Sequence, residues 1–208
     1  MFEYMNAGGI IMWMIAALSV VAVAVVIERS YFFYKASTNA EALEMAFGKA
    51  VANRNIEEAG KIVRSSNSSL HKIFFDVYAH WGIGYEDMKL LIEQLVRREV
   101  FRWEKHLYIL ELIGKIAPLL GLLGTVLGMS EMFQTLHVGN QISAGAVTGG
   151  IWKALFTTIA GLTVAIPTLL AHGLLSSRID NEEETFNRAA DFLIREHFSG
   201  NKQKNETK

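Results

Sequence analysis

The 208-residue chain contains no cysteine, which excludes a disulfide framework, thiolate chemistry and cysteine-based zinc or iron–sulfur sites. Charge is missing where a soluble protein would need it. No Asp, Glu, Lys or Arg occurs from Tyr4 to Ile27 or from Ala154 to Ser177, two runs of 24 residues. About 20 apolar residues suffice to cross a hydrocarbon core of roughly 30 Å as a helix. Two such runs exclude an ordinary soluble enzyme. An excess of basic charge is lacking too: 20 Lys and Arg stand against 21 Asp and Glu, and the net charge of −1 offers no field for nucleic acid. The six histidines are scattered, and none has the i, i+4 spacing to another that a zinc helix needs. Serines fall in predicted turns or tails, so no nucleophile, base and orienting acid can be placed together. The sequence predicts no enzyme, no metal and no cofactor.

What is present is three membrane spans. The first, residues 8–27, reads GGIIMWMIAALSVVAVAVVI. Ala22-Val23-Ala24 resembles a signal-peptide cleavage site, but no Lys or Arg precedes Arg29 and the apolar run continues past Ala24, so a retained anchor is expected. The uncharged run from Ile116 to Ser130 is only 15 residues, short of a crossing. Extending it back to Ile109 takes in Glu111 and Lys115, which stand four apart on one helix face and can pair and snorkel. Span two is therefore placed at residues 109–133 and span three at 151–175. Outside them lie a short N-terminus (1–7), a helical middle domain (28–108), a hairpin (134–150), a C-terminal helix (176–198) and a polar tail (199–208) expected to be disordered. Lys and Arg number 12 in residues 28–108 and 6 in 176–208, against none in 1–7 or 130–150. That asymmetry predicts an outward N-terminus and hairpin, with the middle domain and C-terminus cytoplasmic.

The middle domain has no proline from Asn39 to His106 and no strand-like alternation. Three helices are expected: Asn39 to about Val63, Leu70 to Trp81, and one opening near Tyr85. The breaks between them are the polar run Arg64–Ser69 and Gly82-Ile83-Gly84. On the third helix, Val96, Val100, Trp103, Leu107, Leu110, Gly114, Ala117, Gly121, Gly124 and Gly128 alternate in steps of four and three, one face of a helix. The face is large and apolar first, then small. Read as one unbroken rod, it runs about 50 Å from the cytoplasm into the membrane. Within the membrane, Ala117, Gly121, Gly124 and Gly128 on span two, and Ala154, Gly161 and Ala165 on span three, are spaced to let helix backbones approach closely.

The residues able to carry chemistry are few. Gly121–Gly128 is no phosphate loop, since no GK[ST] follows it. Thr125 in span two and Thr157 and Thr158 in span three either bond their own helix carbonyls or line a narrow passage able to contact an ion or water. Both prolines of the chain, Pro118 and Pro167, fall within spans, where each frees a carbonyl and permits a bend. Lys153, two residues into span three, either snorkels to the interface or pairs with Glu131 across a pore mouth.

The run Ala117-Pro118-Leu119-Leu120-Gly121-Leu122-Leu123-Gly124-Thr125-Val126-Leu127-Gly128, followed by Ala154-Leu155-Phe156-Thr157-Thr158 through Gly161-Leu162 to Ala165-Ile166-Pro167, resembles the MotA/TolQ/ExbB proton-channel family, and its ExbB/TolQ branch in particular. The resemblance covers about residues 8–197. It implies an all-α membrane protein forming a homo-oligomeric, pentamer-like ring in the bacterial inner membrane. The ring would surround the span of a smaller ExbD/TolR-like partner whose membrane aspartate carries the proton, and would act through a TonB- or TolA-like protein. By the same resemblance Thr125 and Thr158 match pore-facing threonines, while Lys153 stands where many relatives have Glu. The implied function is an ion-channel subunit that couples ion-motive force to outer-membrane transport. Alternatives are a TolQ-like envelope-integrity or surface-motility motor, or a non-conducting oligomeric scaffold.

Overall fold

The computed structural model describes residues 9–53, 55–138 and 144–206. The predicted outward N-terminus (1–7), residues 139–143 of the predicted hairpin and the last two residues of the tail lie outside them. Among the described residues the architecture is entirely helical, as the sequence predicts. The helices are α1 (Gly9–Ala36), α2 (Ala40–Ala52), α3 (Ile56–Val63), α4 (Ser69–Ala79), α5 (Tyr85–Glu104), α6 (Leu107–Val138) and α7 (Ala144–Glu206).

Local chemistry explains most boundaries. Asn39 starts α2 by accepting a hydrogen bond from the Ala42 amide at 3.1 Å. Asn55 starts α3 reciprocally: its Oδ1 accepts from the Glu58 amide at 3.1 Å while its Nδ2 donates to the Glu58 carboxylate at 2.8 Å. This cap corrects the expected single helix from Asn39 to Val63, which is two helices parted at Asn53–Asn55. Asparagines compete for backbone partners and so favour caps over helix interiors. Ser68 caps α4, and Gly84 precedes α5, whose first turn carries Glu86 and Asp87.

The unbroken rod is corrected as well. Lys105 leaves α5 in an extended conformation (φ −51°, ψ 133°), and His106 has φ +70°. A left-handed residue ends a right-handed helix, so α5 and α6 are separate. The predicted stripe survives the break: Val96, Trp103, Leu107, Leu110, Gly114, Ala117, Gly121, Gly124 and Gly128 are all buried. At the other end α7 runs to Glu206, through positions where the composition predicts a disordered tail.

The chain divides into two compact units. One comprises Met1–Arg29 and His106–Leu175. Here Ala22 of α1 packs with Leu110 and Ile113 of α6, flanked by Leu18, Val25, Val164 and Leu175. Its outer faces are apolar: Val20 and Val23 on α1, Leu122 and Val126 on α6, and Leu155, Ile159 and Ile166 on α7 are exposed. Among the described residues, three helical stretches, starting at Gly9, Tyr85 and Val147, are long and apolar enough to cross a membrane. An outside of this kind is stable in lipid. The other unit, Ser30–Lys105 with Ser176–Lys208, has an aromatic core. Trp103 stacks on Phe33 at 4.6 Å between centroids, meets Phe32 and Phe186 edge-on, and donates its indole N–H to the Ser69 hydroxyl at 2.9 Å.

Candidate functional site

The small residues predicted to pack are brought together within one chain, along a seam between α6 and the first half of α7. At Gly161 an added Cβ would lie 2.5 Å from the Ala117 carbonyl oxygen and 3.2 Å from Gly121 Cα. At Gly121 it would lie 2.9 Å from Thr158 Cα and 3.0 Å from the Thr157 carbonyl oxygen. At Gly124 it would collide with the Thr157 side chain, and at Gly128 it would touch Ala154 Cβ at 3.3 Å. The two backbones are in contact, and only glycine leaves room for that. Ala154 and Ala165 are buried on the α7 side, and Ala117 on the α6 side.

The seam sorts the three predicted threonines. Thr157 is 1% exposed, enclosed between the helices, and its hydroxyl donates to the Ala154 carbonyl at 2.8 Å and the Gly121 carbonyl at 3.3 Å. Thr158 is half-buried and donates across the seam to the same Gly121 carbonyl at 3.1 Å. Thr125 is also half-buried and donates to the Leu122 carbonyl of its own helix at 2.6 Å. Gly121 is thus the acceptor that draws both α7 hydroxyls onto α6. Each hydroxyl keeps two acceptor lone pairs while its proton is committed. Chemically, Thr125 and Thr158 offer partly accessible oxygens along a largely apolar hairpin, suited to contacting water or a cation.

Pro118 and Pro167 sit inside α6 and α7, and neither ends its helix. Towards the 139–143 connection, Gly150 packs against Met132, and the Lys153 ammonium donates to the Glu131 carboxylate at 2.7 Å. Near the other end of the seam, Glu111 and Lys115 pair on α6, and Gly114 makes a second close approach, to Leu169. Among the described residues no cluster of His, Asp and Glu has the arrangement of a metal site.

One polar group escaped the sequence reading. Arg29 is 4% exposed and is held by the neighbouring Glu28 carboxylate, which also faces His106 Nδ1 at 3.4 Å. Arg29 is the first basic residue after an uncharged run of 24, a signal for the end of a span but not for a buried ion pair. The contact with His106 depends on that residue's left-handed backbone, for which a lone histidine carries no sequence mark.

Fold and seam together define a polytopic helical membrane protein built around a hydroxyl-bearing, glycine-packed hairpin. Residues 60–188 match the model of the MotA/TolQ/ExbB proton channel family, and the chain belongs to that family. It is 32% identical over 166 residues to the biopolymer transport protein ExbB-like 3 of Synechocystis, covering 79% of each protein. It is 25% identical over 186 residues to the Tol-Pal system protein TolQ of Haemophilus influenzae, covering 84% of this chain and 82% of that one. A chain of the solved structure of C. jejuni MotAB shares the fold, with a TM-score of 0.68 over 94% of this chain and 80% of that chain at 14% identity.

Proposed function

We propose that this chain is the ion-conducting subunit, for protons, of an inner-membrane motor that works through a single-span ExbD/TolR-like partner bearing an intramembrane Asp. In this reading several copies, five by the family resemblance, form a ring around the partner's span. The N-terminus and the 134–150 hairpin face the periplasm, and the middle domain and C-terminus face the cytoplasm, as the Lys and Arg distribution requires. Pro118 and Pro167 allow each hairpin to flex below the passage. Outer-membrane transport through a TonB-like protein is the favoured task, given the ExbB-like relative; a TolA-like partner in envelope integrity is the alternative.

The observation that carries the proposal is the placement of Thr125 and Thr158. Between Ile116 and Ser177 the only Asp, Glu, Lys or Arg residues are Glu131 and Lys153, both towards one end, and the histidines, His137 and His172, stand well away from Thr125 and Thr158 in the sequence, so no titratable side chain of spans two and three adjoins those threonines in the sequence. The two half-buried hydroxyls supply hydrogen-bonding oxygens without a competing charge, which suits a proton carrier brought by a partner. A scaffold reading draws on a different observation: both hydroxyls already donate to backbone carbonyls, as threonines in membrane helices commonly do.

Co-reconstitution with the partner into vesicles that trap a pH dye separates the two. Thr125→Val/Thr158→Val keeps shape and removes the oxygens, leaving an apolar passage that tends to dewet. The double variant is expected to assemble normally and to take up protons at least about tenfold more slowly under an imposed potential. Native uptake in the double variant would mean that these hydroxyls serve only to pack the helices, and a native complex that assembles and takes up no protons would establish the scaffold.

A further inference from the structure

From Ile116 to Ser177, a stretch of 62 residues, the sequence holds two charged side chains, Glu131 and Lys153. They stand 22 positions apart on different helices, and in the structure they form one ion pair of 2.7 Å. The pair continues the seam described above. Successive contacts along it are Gly161 on Ala117, Gly121 on Thr158, Gly124 on Thr157, Gly128 on Ala154 and Gly150 on Met132. Lys153 and Glu131 stand beside the last two in the sequence, each within three residues of a seam position. The ammonium is the more enclosed partner, its side chain 32% exposed against 65% for the carboxylate. The enclosed charge is the positive one, and it sits one helical turn from Thr157 and five residues from Thr158.

A fixed ammonium there would repel the very ions that the proposed function requires to pass. We propose that Glu131 is a charge-cancelling residue of the ion path. Its carboxylate holds the Lys153 ammonium at the end of the seam, so that the mouth presents a dipole to an approaching cation instead of a net positive charge. Glu131 thereby sets the sign of ion admitted without itself carrying the ion. The inference rests on the reading of the chain as a proton-conducting subunit, and it adds to that reading how one entrance is made passable.

Charge cancellation and a mechanical clamp between α6 and α7 make different predictions. The test uses the full chain co-reconstituted with its single-span partner, with proton uptake read from a trapped dye. Glu131→Gln leaves the ammonium bare, and at about 0.1 M salt uptake should fall roughly tenfold, the scale of one uncompensated charge several ångströms from the path. At about 1 M salt, where the screening length shortens to roughly 3 Å, most of that loss should be recovered. Lys153→Gln, which removes the ammonium and keeps the carboxylate, should conduct faster than the native protein. Glu131→Gln/Lys153→Gln should conduct faster than Glu131→Gln alone.

A clamp would give the opposite pattern. Both single variants would then be slow, the double variant no better, and salt without effect. That pattern, or a slow Lys153→Gln by itself, overturns the inference; the Lys153→Gln result holds even if Glu131→Gln does not assemble. Failure of the underlying reading looks different again, since the native complex would assemble and conduct no protons at any salt concentration.

Discussion

Buried polar side chains set the local rules of this protein. Thr157 is enclosed in the α6–α7 seam only because its hydroxyl reaches carbonyls on both helices, which removes the penalty of an unpaired group in lipid. His71 is the corresponding case away from the spans. It is 7% exposed, with the Ser68 hydroxyl 2.8 Å from Nδ1 and the Ser65 hydroxyl 3.2 Å from Nε2. Burial holds its pKa below the ordinary 6.5, because the neutral ring is the form the site accepts. The folded state therefore binds a proton less readily than the unfolded chain does. Stability from this site is complete above the ordinary value and is lost as pH falls through 6.5 towards the lower folded value. Thermal unfolding of the purified protein between pH 7.5 and about pH 5 is expected to show this acid slope, reduced in His71→Gln. An unchanged slope would place the titration elsewhere. Glycine obeys the same steric rule at Gly161, where a methyl group would meet the backbone of Ala117 and Gly121, whereas at Gly149 nothing lies within 4 Å. Gly161→Ala should lower stability by about 1–3 kcal/mol while Gly149→Ala is nearly neutral, measured by unfolding in detergent.

Among the elements, the junction of α5 and α6 carries the most information. His106 is the one non-glycine residue with positive φ among the described residues, and its imidazole faces Glu28 at the end of the uncharged run of α1. Arg29 and His106 hold the Glu28 carboxyl below its ordinary range. Left-handed backbone is hardest on β-branched side chains and mildest on Gly and Asn. His106→Val should therefore cost about 1–2 kcal/mol or more, and His106→Asn distinctly less, with unfolding midpoints as the readout. Equal midpoints for the two would mean that the junction re-forms as continuous helix. The break also explains why an uninterrupted run of apolar spacings misleads. Steps of four and three record which residues are buried, and two helices in succession can bury the same stripe as one.

For the whole molecule, the small-residue faces are consumed inside a single chain. Gly121, Gly124 and Gly128 meet Thr158, Thr157 and Ala154 of their own α7, so close approach at these positions builds the hairpin before any ring can form. What an assembly has left to bury is the large apolar surface: Leu119, Leu122 and Val126 on α6, and Leu155, Ile159 and Ile166 on α7. Gly124→Leu accordingly strikes the folded subunit first, and assembly only through it. Orientation is tested independently of assembly, because the chain has no native cysteine to interfere. Cysteines placed at Gly139 and Asn140 should react with an impermeant maleimide in intact cells, and cysteines at Asn67 and Asn201 only after lysis. Equal labelling of all four in sealed cells would contradict the charge asymmetry.

The sequence by itself determined the helical class, the three apolar stretches and the family. Each is written in local pattern: uncharged length, the spacing of small residues, and the runs around Pro118 and Pro167. Of the ten residues it placed on the Val96–Gly128 stripe, nine are buried and Val100 is half-buried, because burial periodicity survives even when the helix carrying it is cut. Asn39 was legible as a helix start and Ser68 as part of a polar break, whereas Asn55 was passed over in a helix-favouring context. Only the tertiary structure decided the choices that depend on distant partners. Thr157 differs from Thr158 by one position, yet one hydroxyl is enclosed and the other half-buried, since 100° of helix rotation turns them differently towards Gly121. Snorkelling was the default for Lys153 from sequence, and pairing is decided only because α6 brings Glu131 within 2.7 Å. The left-handed turn at His106 was invisible for the same reason: a backbone conformation disfavoured locally persists only when contacts far along the chain hold it there.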